Sequence, residues 1–238
     1  MTNEAIVLAG GLGTRLRSVI QDVPKPMAEV AGRPFLDYIL YSLKKNNIKK
    51  VVFAVSHKYE VIQDYYKDSR NSFGIEISYS IEKELLGTGG AIYEASQQIL
   101  GDSFFILNGD TYFEIDLSQL HTFAKETSAD LALALKMMPH SDRYGSVVCA
   151  NDHKIVSFKE KEPGKKQDLL INGGIYHMNK RVIEILSMPS KFSFEIDFLQ
   201  RDLNKISAYG KLFDETFIDI GIPEDYEYAQ SLLKNVIP

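Results

Sequence analysis

Two cations and a run of glycines near the start carry the first chemical signal. The stretch LAGGLGTRL, Leu8 to Leu16, follows the apolar run AIVLA and sets Gly10, Gly11 and Gly13 ahead of Thr14 and Arg15. A little further on, VPKP holds Lys25 between Pro24 and Pro26. Glycines let backbone N–H groups approach phosphate oxygens, and a helix N-terminus adds a favourable dipole. Thr14 is placed to cap such a helix. Arg15 stands where a guanidinium would clamp a triphosphate bidentately. Proline on each side stiffens the backbone and would hold Lys25 pointing into a site. Taken singly, each motif has an ordinary reading: a plain strand–helix turn and an exposed loop lysine.

Two familiar phosphate-binding patterns are excluded. G-x-G-x-x-G fits Gly11 and Gly13 but fails at Leu16, and no Gly-Lys-Ser/Thr follows for a Walker A loop. The turn is neither a dinucleotide fingerprint nor an NTPase P-loop, which argues against a nicotinamide-dependent oxidoreductase.

The elements that must position these groups alternate. AIVLA, VVFAVS (51–56) and SFFILNGD (103–110) read as buried strands, and IEISYS (75–80) as a further one. Helical patterns lie between them at 34–47, 59–68 and 88–100, the last opened by Thr88. Such alternation implies a parallel sheet covered on both faces, with ligands beyond the carboxyl ends of its strands. GGLGTR, LLGTGG and NGD fall at those ends. The second half reads as strands at 130–137, 144–151, 154–161 and 170–179, helices at 181–187 and 194–205, short strands at ISAYG, KLFDE and TFIDIG, and a closing helix.

Composition narrows the partners. The chain has 238 residues, 45% apolar and 25% charged, with a formal net charge of −5. That balance suits a soluble α/β protein and argues against nucleic acid as the main partner. The single cysteine, Cys149, rules out an internal disulfide and a Cys-rich zinc site, fits a cytoplasmic setting, and sits in an apolar run as a small hydrophobe. No signal peptide or run of about 20 apolar residues is evident, so no membrane contact is expected.

In combination the motifs are specific. GGLGTRL, PKPM, AGRPFLDYIL, EKELLGTGGAI, LNGD, YGSV, SFKEKEP, NGGIY and FIDIGIPEDY occur in order from Ala5 to Tyr226. This series resembles the sugar nucleotidyltransferases, which join a nucleoside triphosphate and a sugar 1-phosphate. Two departures stand out: Ser18 and Val19 replace a common Pro-Leu, and Leu85 replaces a common proline.

The resemblance implies a Rossmann-like, GT-A-like α/β fold, a single layer sandwich whose mixed, mostly parallel central sheet is flanked by helices. One domain would span 1–238, with 1–115 mainly binding nucleotide and 116–238 mainly binding sugar phosphate. It also implies roles. Arg15 and Lys25 would be catalytic; Leu8, Gly10, Gly11, Gly13, Thr14, Glu82, Gly87 and Thr88 would bind the nucleotide. Gly145, Glu160, Lys161, Asn172 and Gly173 would bind the sugar phosphate. Asp110 and Asp219 would hold Mg²⁺.

Base choice turns on Glu82. Relatives that use thymine or uracil typically carry glutamine there. Guanine presents two adjacent donors, which a carboxylate matches because it only accepts. Glu82 therefore favours GTP, with Glu84 the alternative reader. Among compact members the similarity is greatest to those that act on GTP and a heptose 1-phosphate. A guanylyltransferase acting on mannose 1-phosphate, or a uridylyl-, thymidylyl- or cytidylyltransferase acting on another sugar 1-phosphate, is the nearest alternative. A catalytically silent nucleotide-sugar-binding regulator is the alternative of another class, although Arg15, Lys25, Asp110 and Asp219 are all retained. A dimer is the default expectation, and a single activity is expected because the series lacks the β-helix segment of bifunctional relatives.

Overall fold

The computed structural model describes residues 2–11, 16, 23–67, 73–141, 144–159, 164, 167–185 and 191–238. In chain order its strands are β1 (Glu4–Leu8), β2 (Glu29–Val30), β3 (Arg33–Pro34), β4 (Lys50–Val55), β5 (Glu76–Ile81), β6 (Ser103–Asn108), β7 (Thr111–Phe113), β8 (Leu131–Ser141), β9 (Ser146–Cys149), β10 (Ile155–Lys159), β11 (Gln167–Asn179), β12 (Ala208–Phe213) and β13 (Phe217–Asp219). The α-helices are α1 (Phe35–Lys45), α2 (Tyr59–Tyr65), α3 (Gly87–Ser96), α4 (Leu117–Glu126), α5 (Arg181–Ile185) and α6 (Pro223–Leu232).

Seven strands form one sheet in the order β12-β8-β11-β6-β1-β4-β5. Six run parallel; β11 alone is reversed, pairing antiparallel with both β6 and β8. The sheet is therefore mixed and mostly parallel, and helices flank both of its faces.

The alternation of side chains along each strand explains the two cores. Ala5, Val7, Val51, Phe53 and Phe105 point to one face, where α1, α4 and α6 pack; Ile6, Val52, Ala54, Phe104 and Ile106 point to the other, under α3 and α5. Strands buried on both faces need apolar residues at every position. That is why β1, β4 and β6 are continuous apolar runs.

Two features shape the ends of the sheet. The amino half of β11 pairs only with β8, beyond the end of β6 at Asn108, so these two strands form a wall past the strand tips. Within that wall the register slips between Asn172 and Tyr176, with Gly174 at φ +73°. Such a bulge re-aims side chains.

Several expectations are adjusted. The segment 194–205 is not one helix but a π-helical turn, Phe194–Leu199, followed by a 3-10 turn, Leu203–Lys205. The wider i→i+5 turn sets Phe194, Phe198 and Leu199 together in the apolar layer. ISAYG and KLFDE merge into the single strand β12, and β9 with β10 form a separate ladder off the main sheet. Among the described residues no helix is long and apolar enough to cross a membrane.

Candidate active site

A cavity of about 1020 Å³ opens at the carboxyl ends of the parallel strands. Its walls take Leu8, Gly10, Gly11, Glu82, Gly87, Thr88, Asn108 and Asp110 from one side of the sheet, and Gly145, Asn172, Gly174, Tyr176, Glu195 and Asp219 from the other. Of the expected site residues, Gly13, Thr14, Arg15, Glu160 and Lys161 lie outside the described residues.

The charged centre is built by pairing. Antiparallel β7 and β13 set Thr111 opposite Asp219, and the Ile220 N–H donates to the Asp110 carbonyl at 3.0 Å. Two aspartates far apart in the chain thus become neighbours. Lys25 comes in on its own short 3-10 turn, Lys25–Met27, begun by Pro24. Its Nζ donates to Asp110 Oδ2 at 2.6 Å and lies 3.9 Å from Asp219 Oδ1. The lysine side chain is only 11% exposed, so the proline-flanked lysine does point into the site.

Asp219 accepts from the Gly221 N–H at 2.6 Å and from the Thr111 hydroxyl at 3.3 Å. Burial, and then the charge of Asp110, raise its pKa; Lys25 acts in the opposite sense. Two carboxylates crowded in this way favour a cation between them.

The wall beside β1 and β5 is largely backbone. A Cβ on Gly11 would meet none of the described residues within 4 Å. A Cβ on Gly10 would lie 3.2 Å from Glu82 Oε1 and 3.0 Å from the Ser56 hydroxyl. Glu82 follows β5 directly, and its Oε2 accepts from the Leu86 N–H at 2.9 Å. Burial raises its pKa, and the Leu86 N–H opposes the rise. Glu84 is exposed and does not line the cavity.

A seam joins the two sides. The Phe192 N–H donates to the Leu86 carbonyl at 2.9 Å, and the Gly89 N–H donates to the Phe192 carbonyl at 3.0 Å. Gly87 has φ +71°, and a Cβ there would come within 2.5 Å of the Phe192 oxygen. Thr88 does not open α3 as a cap; the helix begins at Gly87, and the Thr88 hydroxyl accepts from the Phe194 N–H at 2.9 Å. Both residues line the cavity, yet both also hold this seam.

The opposite wall is made of side chains. Asn172 donates to the Tyr176 hydroxyl at 2.6 Å and to Glu195 Oε1 at 3.0 Å. Its neighbour Gly173 does not face the cavity. A Cβ there would lie 2.6 Å from the Phe113 ring, so close packing demands that glycine, and Gly174 is the one in the wall.

Glu195, Tyr176 and Lys191 also line the cavity but are absent from the sequence-level set. The signal available for Glu195 was an acid inside the apolar segment FSFEIDFL. Reading 194–205 as a helix gives that acid no separate role.

A lysine, paired carboxylates and glycine-lined strand tips around one large cavity define a protein that handles phosphorylated substrates. The Nucleotidyl transferase family matches residues 4–235, and the chain belongs to that family. It is 51% identical to the D-glycero-α-D-manno-heptose 1-phosphate guanylyltransferase of Campylobacter jejuni, over 94% of this chain and 96% of that protein. It is 45% identical to the protein of the same name from Aneurinibacillus thermoaerophilus, over 98% of this chain and 100% of the other. Among solved structures, HddC from Yersinia pseudotuberculosis complexed with GMP-PN superposes with a TM-score of 0.86 at 36% identity, covering 98% of this chain and 100% of that one.

Proposed function

We propose that this protein transfers the guanylyl group of GTP to D-glycero-α-D-manno-heptose 1-phosphate, forming GDP-heptose and pyrophosphate for a surface glycan. The observation that carries the reading is the meeting of Lys25, Asp110 and Asp219 in a cavity with Glu82 in one wall and Asn172 in the other. The two guanylyltransferase relatives, similar over nearly their whole length, support the nucleotide and the sugar.

In the reaction an oxygen of the sugar phosphate forms a bond to the α-phosphorus of GTP. The bond from that phosphorus to its β-bridging oxygen breaks, and the electron pair leaves with pyrophosphate. Both reactants are anions, so positioning and positive charge dominate the catalysis. Lys25 is assigned to the α-phosphate and the incoming sugar phosphate. Arg15 is assigned to the β- and γ-phosphates. No protein nucleophile is required.

Asp110 and Asp219 are assigned to Mg²⁺. The fit rests on their crowding, on the raised pKa of Asp219 and on the lysine drawn between them. Two carboxylates suit an ion that keeps waters and takes phosphate oxygens. When bound, Mg²⁺ would supply positive charge to those oxygens. Glu82 is assigned to the N1 and N2 donors of guanine; its Oε2 is steadied by Leu86 and its Oε1 borders Gly10. Glu160, Lys161, Asn172 and Gly145 are assigned to the sugar phosphate. Action in the cytoplasm agrees with a lone, unpaired cysteine.

Phosphorus NMR tests the reading. GTP, the heptose 1-phosphate and the protein with Mg²⁺ should yield the signals of GDP-heptose and pyrophosphate. EDTA should stop the reaction and Mg²⁺ restore it. Absence of product from GTP and the heptose 1-phosphate would overturn it.

A further inference from the structure

Glu195 is the cavity-wall carboxylate to which neither the metal pair nor the base reading gives a task. It sits in the π-helical turn Phe194–Leu199, an uncommon geometry that recurs at functional sites. The turn is firmly set. Ser193 Oγ accepts from the Ile196 N–H, and Asp197 Oδ2 accepts from the Ser193 N–H at 2.8 Å. Phe194 beneath it packs edge-on to Tyr176 with ring centroids 5.4 Å apart, and stacks on Phe198 at 5.5 Å.

Only half of the carboxylate is engaged by protein. Oε1 accepts from Asn172 at 3.0 Å and from the Tyr176 hydroxyl at 3.4 Å. Oε2 accepts no hydrogen bond from the described residues, and the side chain stays exposed to the cavity. The bulge in β11 that brings Asn172 and Tyr176 together therefore also orients this one group.

Electrostatics limits what Oε2 can face. Burial raises the pKa of Glu195, and the charges of Asp110 and Asp219 raise it further. A phosphate would add a further negative charge and be repelled. Neutral hydroxyl donors would not, and a polyhydroxylated sugar offers several in a row. A fixed acceptor discriminates among such donors by position, because a missing partner leaves a polar group unpaired.

We infer that Glu195, oriented by Asn172 and Tyr176, accepts a hydrogen bond from a ring or side-chain hydroxyl of the sugar 1-phosphate and so helps to select the sugar. This inference rests on the reading of the cavity as a sugar 1-phosphate site.

Calorimetric titration tests it without turnover. The heptose 1-phosphate, mannose 1-phosphate and the monodeoxy analogues of the latter would be titrated into wild type, Glu195→Gln and Glu195→Ala, each with and without a non-hydrolysable GTP analogue bound. Glu195→Ala should weaken mannose 1-phosphate about tenfold or more, Glu195→Gln less, and neither should move the affinity for the GTP analogue. For one deoxy position the advantage of wild type should vanish, because the hydroxyl in question is gone. Equal weakening of every deoxy analogue would assign Glu195 a merely structural role and overturn the inference. So would unchanged sugar binding, or parallel loss of the GTP analogue. Wild type that binds no sugar phosphate would overturn the inference together with the function. Wild type that binds sugar phosphates but does not turn over GTP would overturn the function alone.

Discussion

The two sides of the cavity are built on different principles. Toward β1, β4 and β5 the wall is backbone: Gly10, Gly11 and Gly87 at strand and helix ends, with Glu82 as the main polar side chain. Toward β8 and β11 it is a network of side chains, Asn172, Tyr176 and Glu195, hung on a bulged antiparallel strand and a π-helical turn. Parallel strand tips offer repeated main-chain groups, the kind of surface proposed for phosphate and base. A sugar differs from its competitors by the direction of single hydroxyls, and only side chains oriented one by one can sense that. The charged centre, Lys25 with Asp110 and Asp219, lies where the two walls meet.

Lys25→Met gives the largest expected effect, because its ammonium meets Asp110 from one wall and Asp219 from the other. Turnover should fall about a thousandfold, on the scale of losing a charged donor to a transition state, with the fold intact by circular dichroism. A loss below about tenfold would remove Lys25 from the centre of the account.

Acid should act behind the side-chain wall, where β11 runs on into the sheet. His177 of β11 is buried against His121 of α4, with Nδ1 of His121 3.0 Å from Nε2 of His177. Burial, then the charges of His121 and Lys125, lower the His177 pKa to about 4. The unfolded chain takes up that proton near its ordinary pKa of 6.5, so stability falls as pH drops from about 6.5 toward about 4 and then levels. The loss is roughly 3 kcal/mol. His177→Gln should flatten that part of a Tm-against-pH curve. An unchanged slope would assign the acid sensitivity elsewhere.

The seam is next. Gly87→Ala forces a Cβ to 2.5 Å from the Phe192 carbonyl at a φ of +71°. A cost of about 2 kcal/mol is expected, read as a lower urea midpoint. Affinity for GTP and for sugar phosphate should fall together, since the seam ties both walls. Weakening of one ligand alone would mean that the walls are independent.

Glu82→Gln sharpens the comparison on the backbone wall. GTP use should fall about tenfold, with UTP use unchanged or improved, in kcat/KM measurements. Unaffected GTP preference would take base reading away from Glu82.

How much was legible in the sequence follows the same division. Apolar runs such as AIVLA and VVFAVS mark buried parallel strands, and motifs at their carboxyl ends mark the cavity, because local pattern and position in the sheet coincide there. Lys25 announced itself through its flanking prolines. Asp110 and Asp219 could be paired only by resemblance, since their contact depends on β7 meeting β13. The other wall is harder to read. A register slip leaves no periodic trace, and the spacing of Phe194, Phe198 and Leu199 suits an α-helix as well as a π-helical turn. Glu195 was overlooked for that reason, and Gly173 was taken for a cavity residue in place of its neighbour. Thr88, a plausible helix cap by type, was claimed instead by the Phe194 N–H.

The most direct test is a pyrophosphate-release screen with Mg²⁺, crossing GTP, ATP, CTP, UTP and dTTP with heptose, mannose, glucose and N-acetylhexosamine 1-phosphates. The account predicts turnover concentrated in GTP with the heptose phosphate. Preferred turnover of any other nucleotide, or of mannose, glucose or N-acetylhexosamine 1-phosphate, would contradict it.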